Sequence, residues 1–208
     1  MNSWIDLSVI IDKNYKVFPG DKKIEFSDIA SFEKDGYNIR QITTNMHVGT
    51  HLDVLKHVFE KGDSLESINI SRFIGMAKVI KPNIIDNIVK TSSIKIENDE
   101  DISILILNLD WSKYLNTKKY YNYPKFQKSI INLLKEHCIK ILGLDIPSPE
   151  YEGEHFLQMH RDLLSNDIYI IENLTNLDNL TNIVDFIGLP LKIKGMDGSM
   201  LRCVAKNH

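Results

Sequence analysis

The stretch from Met46 to His57 reads M-H-V-G-T-H-L-D-V-L-K-H and concentrates the side chains able to do chemistry. It sets His47, His51, His57 and Asp53 around Gly49, although the whole chain of 208 residues has only seven histidines. Imidazole and carboxylate together are the donors preferred by zinc, manganese or ferrous iron. The spacing constrains the backbone. In an extended strand His47 and His51 would stand ~13 Å apart at ~3.3 Å per residue, too far to share an ion held at ~2.1 Å. A helix would stack those two but turn Asp53 and His57 away. A strand ending near His47, a tight turn at Gly49-Thr50 and a coiled or helical return would gather all four, and glycine permits that reversal. The plain alternative is an inert surface loop that is rich in histidine.

The stretch resembles the signature of the cyclase family of metal-dependent hydrolases, which includes bacterial kynurenine formamidases and isatin hydrolases. That signature runs His-x-Gly-Thr-His-x-Asp-x-Pro-x-His, and the chain departs from it only at Leu55, where the family has proline. Other segments are similar to family patterns: Asp6-Leu7-Ser8, the turn from Phe18 to Asp21, Trp111 to Tyr114, the turn Gly143-x-Asp145-x-x-Ser148, and Glu172-Asn173-Leu174. Where the family has Thr-Gly-Trp, this chain has Leu109-Asp110-Trp111.

Two later residues are candidates to complete a metal site. His160 lies on a helix predicted after Pro147-Ser148-Pro149, and Glu172 ends an apolar strand. A carboxylate there reaches water or has a cation beside it, because burying it unpaired is costly. The resemblance implies two divalent ions, Zn²⁺ or Mn²⁺. His47, His51 and Asp53 would hold the first; a bridging Asp53, His160 and Glu172 would hold the second. His57 would stay outside the coordination as the catalytic acid and base. The implied activity is metal-dependent hydrolysis of a C–N amide bond in a small molecule, an aryl formamide such as N-formylkynurenine or a related cyclic amide. Phe18, Phe59, Trp111 and Tyr114 are candidate pocket aromatics. Of the remaining histidines, His137 reads as packed or half-exposed, His155 as filler and His208 as a disordered end.

Two other functions fit parts of this pattern. His51-x-Asp53 with a distal His160 is also the order of a facial triad in non-haem iron oxygenases, but it leaves His47, His57 and Glu172 unused. A metal-stabilised binding protein without turnover is the second.

The elements that must position these residues alternate between strand and helix patterns. Strands are predicted over 4–11, 23–32, 37–48, 76–80, 102–109, 140–144, 168–171, 186–194 and 200–205, with the third delivering His47. Ile102 to Leu109 is apolar on both faces, as in a strand covered on each side. Helices are predicted over 126–137, with apolar residues at three- and four-residue intervals, and over 154–164. Residues 82–101 alternate short apolar pieces with polar ones and end in an acidic run, Glu97 to Asp101, that reads as a solvated loop. The expected architecture is one α/β domain over 1–208, with a mixed, curved or barrel-like sheet and outer helices. The resemblance implies the swivelling β/β/α fold and a homodimer or homotetramer.

Composition is that of an ordinary globular protein, 43% apolar and 25% charged. A net charge of −3 gives no reason to expect nucleic acid or an acidic membrane surface as partner. Two cysteines, Cys138 and Cys203, make no disulfide framework. With no leader pattern at the start and no apolar run of ~18 residues, the expected compartment is the cytoplasm.

Overall fold

Four short apolar segments form the parallel centre of the sheet in the computed structural model, which describes residues 3–97, 102–153 and 157–208. They are Ile74–Ile80, Ile104–Leu107, Ile141–Leu144 and Tyr169–Glu172, the last three of them buried along their whole length. Strands covered on both faces are where near-continuous Ile and Leu runs are stable, and parallel neighbours need crossovers, which here carry helices from β8 onward.

In chain order the strands are β1 (Ile5–Asp6), β2 (Glu25–Ala30), β3 (Ile39–Thr43), β4 (His51–Asp53), β5 (Ile74–Ile80), β6 (Ile84–Ile85), β7 (Ile88–Val89), β8 (Ile104–Leu107), β9 (Lys125–Phe126), β10 (Ile141–Leu144), β11 (Tyr169–Glu172), β12 (Ile183–Pro190) and β13 (Gly198–Asn207). The helices are α1 (Phe32–Asp35), α2 (Ile130–Glu136) and α3 (Gln158–Ser165). The main sheet runs β1-β13-β12-β5-β8-β10-β11-β4, and β4 pairs again with β13. The sheet therefore closes on itself as a mixed, seven-membered ring, with β1 on the same edge of β13 beyond β4. The architecture expected from the sequence, α/β with a barrel-like sheet and outer helices, is the one found.

The crossover from β8 to β10 carries α2, and that from β10 to β11 carries α3. Helix α3 buries Met159, His160, Leu163 and Leu164, the three- and four-residue spacing of one face, against the core. That face brings His160 inward beside β11. Both helices end in a tight reversal. Ile139 donates to the Leu134 carbonyl and Cys138 to Lys135 in one, and Ile168 to Leu163 and Asp167 to Leu164 in the other. The turning residues Cys138 and Asp167 sit at φ 54° and 61°.

Several boundaries differ from expectation. β1 is two residues long because the chain after Asp6 meets Thr50, Leu174 and Cys203 through single bonds and not a ladder. β3 stops at Thr43, so His47 is delivered by the turn that follows and not by a strand. Phe126 lies in β9, not in a helix, because it pairs with Val89 of β7; α2 starts at Ile130. The short apolar pieces after Pro82 pair as the hairpin β6–β7. Most of the acidic run, residues 98–101, and His155 lie outside the described residues. His137 is half-buried, as expected, whereas His208 is placed, with Nε2 2.9 Å from Asp185 Oδ1.

Candidate metal centre

Gly49 makes the turn that gathers the first cluster. It adopts φ 70°, and a Cβ there would come within 2.6 Å of the Ile11 side chain, so conformation and space both call for glycine. Asn173, next to Glu172, fixes the turn from the other side: its Nδ2 donates to the Gly49 carbonyl at 2.9 Å, and its carbonyl accepts from Thr50 Oγ1 at 2.6 Å. The return is a strand, β4, and not a coil or helix. β4 lies between β11 and β13, with His51 opposite Glu172 and Asp53 opposite Gly198. Residues two apart on a strand share a face, so His51 and Asp53 point into the site while Leu52 joins the core. A 3-10 turn, Leu55–His57, then carries His57 back over the cluster. Leu55 is the first residue of that turn and Val54 before it is extended (φ −122°, ψ 170°). A proline fits such a position, which explains how proline and leucine can exchange here without moving His57.

The five predicted ligands converge. His47 Nδ1 stands 2.7 Å from Asp53 Oδ1. His51 Nε2 lies 3.4 Å from Asp53 Oδ1 and 3.3 Å from Glu172 Oε2. His160 Nε2 lies 3.0 Å from Glu172 Oε1 and 3.5 Å from Asp53 Oδ2. Donor atoms of His51, Asp53 and Glu172 fall within 4.8 Å of one another, as do those of His47, Asp53 and His57. Asp53 is common to both groups. The geometry thus groups His57 with His47 and Asp53.

Burial and hydrogen bonding show that this cluster needs positive charge. The side chains of Asp53, Glu172, His51 and His160 are 5% exposed or less, and two buried carboxylates cannot stand unneutralised. His51 Nδ1 bonds the Gly49 carbonyl at 2.9 Å. A carbonyl only accepts, so Nδ1 carries the hydrogen, and a neutral ring turns its Nε2 lone pair onto the oxygens of Asp53 and Glu172. Lone pairs facing lone pairs require a proton or a metal ion between them. In the metal-free protein the proton is the answer: burial presses the His51 imidazole down, but its bonds to Asp53 and Glu172 hold it well above its ordinary range. Divalent metal shared among these three imidazoles and two carboxylates would satisfy the same demand, and the donor set suits zinc or manganese.

Asp197 was not singled out in the sequence. It starts the approach to β13, and its Oδ2 lies 3.0 Å from His47 Nε2 and 3.7 Å from His57 Nδ1. The bonds to His47 and His57 hold its carboxyl well below the usual range. Nothing local marks it, since Asp-Gly before a strand reads as a simple turn.

A cavity of about 190 Å³ opens over the cluster, walled by Phe18, Pro147 and Leu157 on the apolar side and by the site histidines on the other. Of the four aromatics expected there, only Phe18 lines it. Trp111 packs edge-on against Tyr114 at 4.9 Å and donates its indole N–H to the Tyr120 carbonyl. Asp145 holds that loop by accepting from the backbone of Leu109, Trp111 and Ser112. Phe59 is 40% exposed, away from the cavity.

Residues 5–151 match the family described as Putative cyclase. Kynurenine formamidase of Bacillus cereus is 27% identical over 208 residues, spanning 99% of this chain and 98% of that protein. Kynurenine formamidase of Bacillus mycoides is 28% identical over 211 residues, with the same coverage. Among solved structures, isatin hydrolase A from Labrenzia aggregata superposes with a TM-score of 0.82 at 23% identity, covering 99% of this chain and 93% of that one. A potential metal-dependent hydrolase with cyclase activity gives 0.81 at 19% identity, covering 99% and 98%. At these identities the structural likenesses speak for the fold.

Proposed function

The chain belongs to the cyclase family, and from that premise we propose that it is a metal-dependent amidohydrolase. It opens the C–N bond of a small aryl formamide such as N-formylkynurenine, or of a related cyclic amide. The observation that carries this reading is the convergence of His47, His51 and His160, each within 3.5 Å of Asp53, and of Glu172 beside two of them, beneath an open cavity. The kinship with two kynurenine formamidases along nearly the whole chain supports the formamide.

His47, His51 and Asp53 would hold one divalent ion, and Asp53, His160 and Glu172 a second. Bound there, the ions supply a nucleophile from water near neutral pH and draw electron density from a carbonyl. The chain's own residues do the rest. Phe18, Pro147 and Leu157 give an aryl ring an apolar wall and exclude water from it. His57 is 22% exposed, against 5% or less for His51, Asp53, His160 and Glu172. It therefore meets the substrate from the cavity side, where it takes a proton from the attacking water and returns it to the departing nitrogen. Without that proton the amine is a poor leaving group.

A single ferrous ion on His51, Asp53 and His160 would leave the equally close Glu172 and His47 without a role, which favours the hydrolytic reading. The test is a turnover screen of metal-stripped protein reloaded with Zn²⁺ or Mn²⁺ against N-formylkynurenine, isatin and simple lactams. Oxygen-independent hydrolysis of one of them is expected. His57→Ala should keep its metal content and lose ~10²-fold or more in kcat. Hydrolysis of none under either metal, or turnover that consumes oxygen, overturns the reading.

We also propose a homodimer or homotetramer. The β2–β3 hairpin exposes every residue of β3, with Ile29, Ile39 and Ile42 among its exposed apolar side chains, and a two-stranded ribbon is marginal by itself.

A further inference from the structure

We infer that Asp197, seated by Gly198, is a positioning residue that holds His47 and His57 in their working orientations. The inference rests on the metal-hydrolase reading above.

The carboxylate is itself fixed from behind. The Asp197 carbonyl accepts from Val54 N–H at 3.2 Å, and that of Met196 from Leu65 N–H at 3.1 Å. The Gly195 N–H donates to Glu66 Oε2 at 3.0 Å. The turn carrying Asp197 is thus fastened at three points to residues 54–66, the segment that carries His57.

Gly198 supplies the room. A Cβ at this position would stand 2.7 Å from His47 Cε1 and 2.6 Å from the Leu52 carbonyl oxygen. The His47 ring therefore lies on bare backbone, and any side chain at position 198 would lift it away from Asp53.

The two nitrogens of His47 are divided between partners. Nδ1 faces Asp53 Oδ1 at 2.7 Å, inside the ligand cluster, and Nε2 faces Asp197 Oδ2 at 3.0 Å, outside it. A carboxylate on the far nitrogen is the arrangement that orients a ligating imidazole and raises its basicity. The same oxygen lies 3.7 Å from His57 Nδ1, and the two rings sit 4.1 Å apart, tilted by 37°. One carboxylate thus sets both the ring that would ligate and the ring that would move the proton. An ordinary surface ion pair would touch one partner and contribute little.

The experiment uses the full chain, stripped of metal, as wild type, Asp197→Ala and Asp197→Asn. Zn²⁺ is titrated calorimetrically. Long-range ¹H–¹⁵N spectra of the metal-free imidazoles are recorded at fixed pH, and kcat and KM are measured on the substrate found in the screen. Asp197→Ala should bind Zn²⁺ ~10–100-fold more weakly, with unchanged stoichiometry at saturation. It should lose the protected Nε2–H signal of His47, and lower kcat more than it raises KM. Asp197→Asn keeps an oxygen acceptor and should recover most of the affinity and the signal. Wild-type affinity and unaltered imidazole spectra in Asp197→Ala overturn the inference. So does the loss of one ion per chain at saturating metal, which would make Asp197 a ligand. A wild type that binds no Zn²⁺ and hydrolyses nothing sinks the hydrolase reading instead, while the metal-free spectra still decide the role of Asp197.

Discussion

At the residue scale the cluster behaves as an acid–base network whenever metal is absent. Burial alone would press the His47 imidazole down, but its bonds to Asp197 and Asp53 outweigh that and raise it to about 9. His160 is pressed down by burial and raised by Asp53 and Glu172, also to about 9. A folded-state value above the unfolded one of ~6.5 means that these bonds stabilise fully below that pH and stop doing so as pH climbs through the folded value. Asp53 has the opposite sign. Burial raises its carboxyl, but the bonds from His160, His47 and His51 win and hold it well below the ordinary range. Its contribution is present above ~3.9 and fades as pH falls through the folded value. In chelator, the melting temperature should therefore be highest between about pH 4 and 6.5 and decline towards pH 9.5, and Zn²⁺ should flatten that decline by replacing the protons. A metal-free melting temperature that stays level from pH 6.5 to 9.5 contradicts this. The residues of this network were legible where they are sequence neighbours. His47, His51, Asp53 and His57 announce themselves around Gly49, and His160 and Glu172 by their placement on a helix and at a strand end. Asp197 was not, because its partner His47 is 150 positions away, and only folding makes them adjacent.

At the element scale, what was readable followed burial. β8, β10 and β11 are runs of Ile and Leu covered on both faces, and each lies where that pattern put it. Errors arose where a long-range pairing outweighed a local preference. Phe126 has helical spacing to Ile130 and Leu133, yet pairing with β7 draws it into a strand. The pattern of residues 37–48 continues a strand to His47, but the turn around Gly49 begins earlier and claims it. Helix ends offer a direct test of local energetics. Cys138 turns the chain after α2 at φ 54°, a conformation that costs a side chain and suits glycine. Cys138 is exposed, so its side chain adds little packing. Cys138→Gly should raise the unfolding free energy by roughly 0.5–1 kcal/mol in a urea titration, with metal content unchanged. A decrease would show that the thiol makes a contact outweighing the backbone strain.

At the scale of the whole molecule, the site and the sheet are one construction. His51 and Asp53 belong to β4 and Glu172 to β11, and Asp197 adjoins β13, so the proposed ligands and the carboxylate that positions them span the strands at which the ring closes. An ion bound there would tie β4 to β11 and to α3, and binding to the folded state alone would stabilise it by mass action, ~2.7 kcal/mol at a hundred times Kd. Thermal melts with increasing Zn²⁺ should show a midpoint that climbs with concentration; a midpoint indifferent to metal would separate the site from the fold. Helix content and the mixed sheet could be anticipated from periodicity. The barrel-like form was expected as well, but which strand closes it was not legible, because that strand is only three residues long and looks like part of a loop. No helix among the described residues is long and apolar enough to cross a membrane.

The brevity of β4 has a further effect. Its alternating side chains are a core leucine between two polar residues, so sliding by a single position would offer Leu52 to the cavity and drive His51 and Asp53 into oil. Such a misaligned chain would lose the facing of His51 and Glu172 across β4 and β11. Native pairing of β4 with both neighbours and assembly of the candidate site are accordingly a single event.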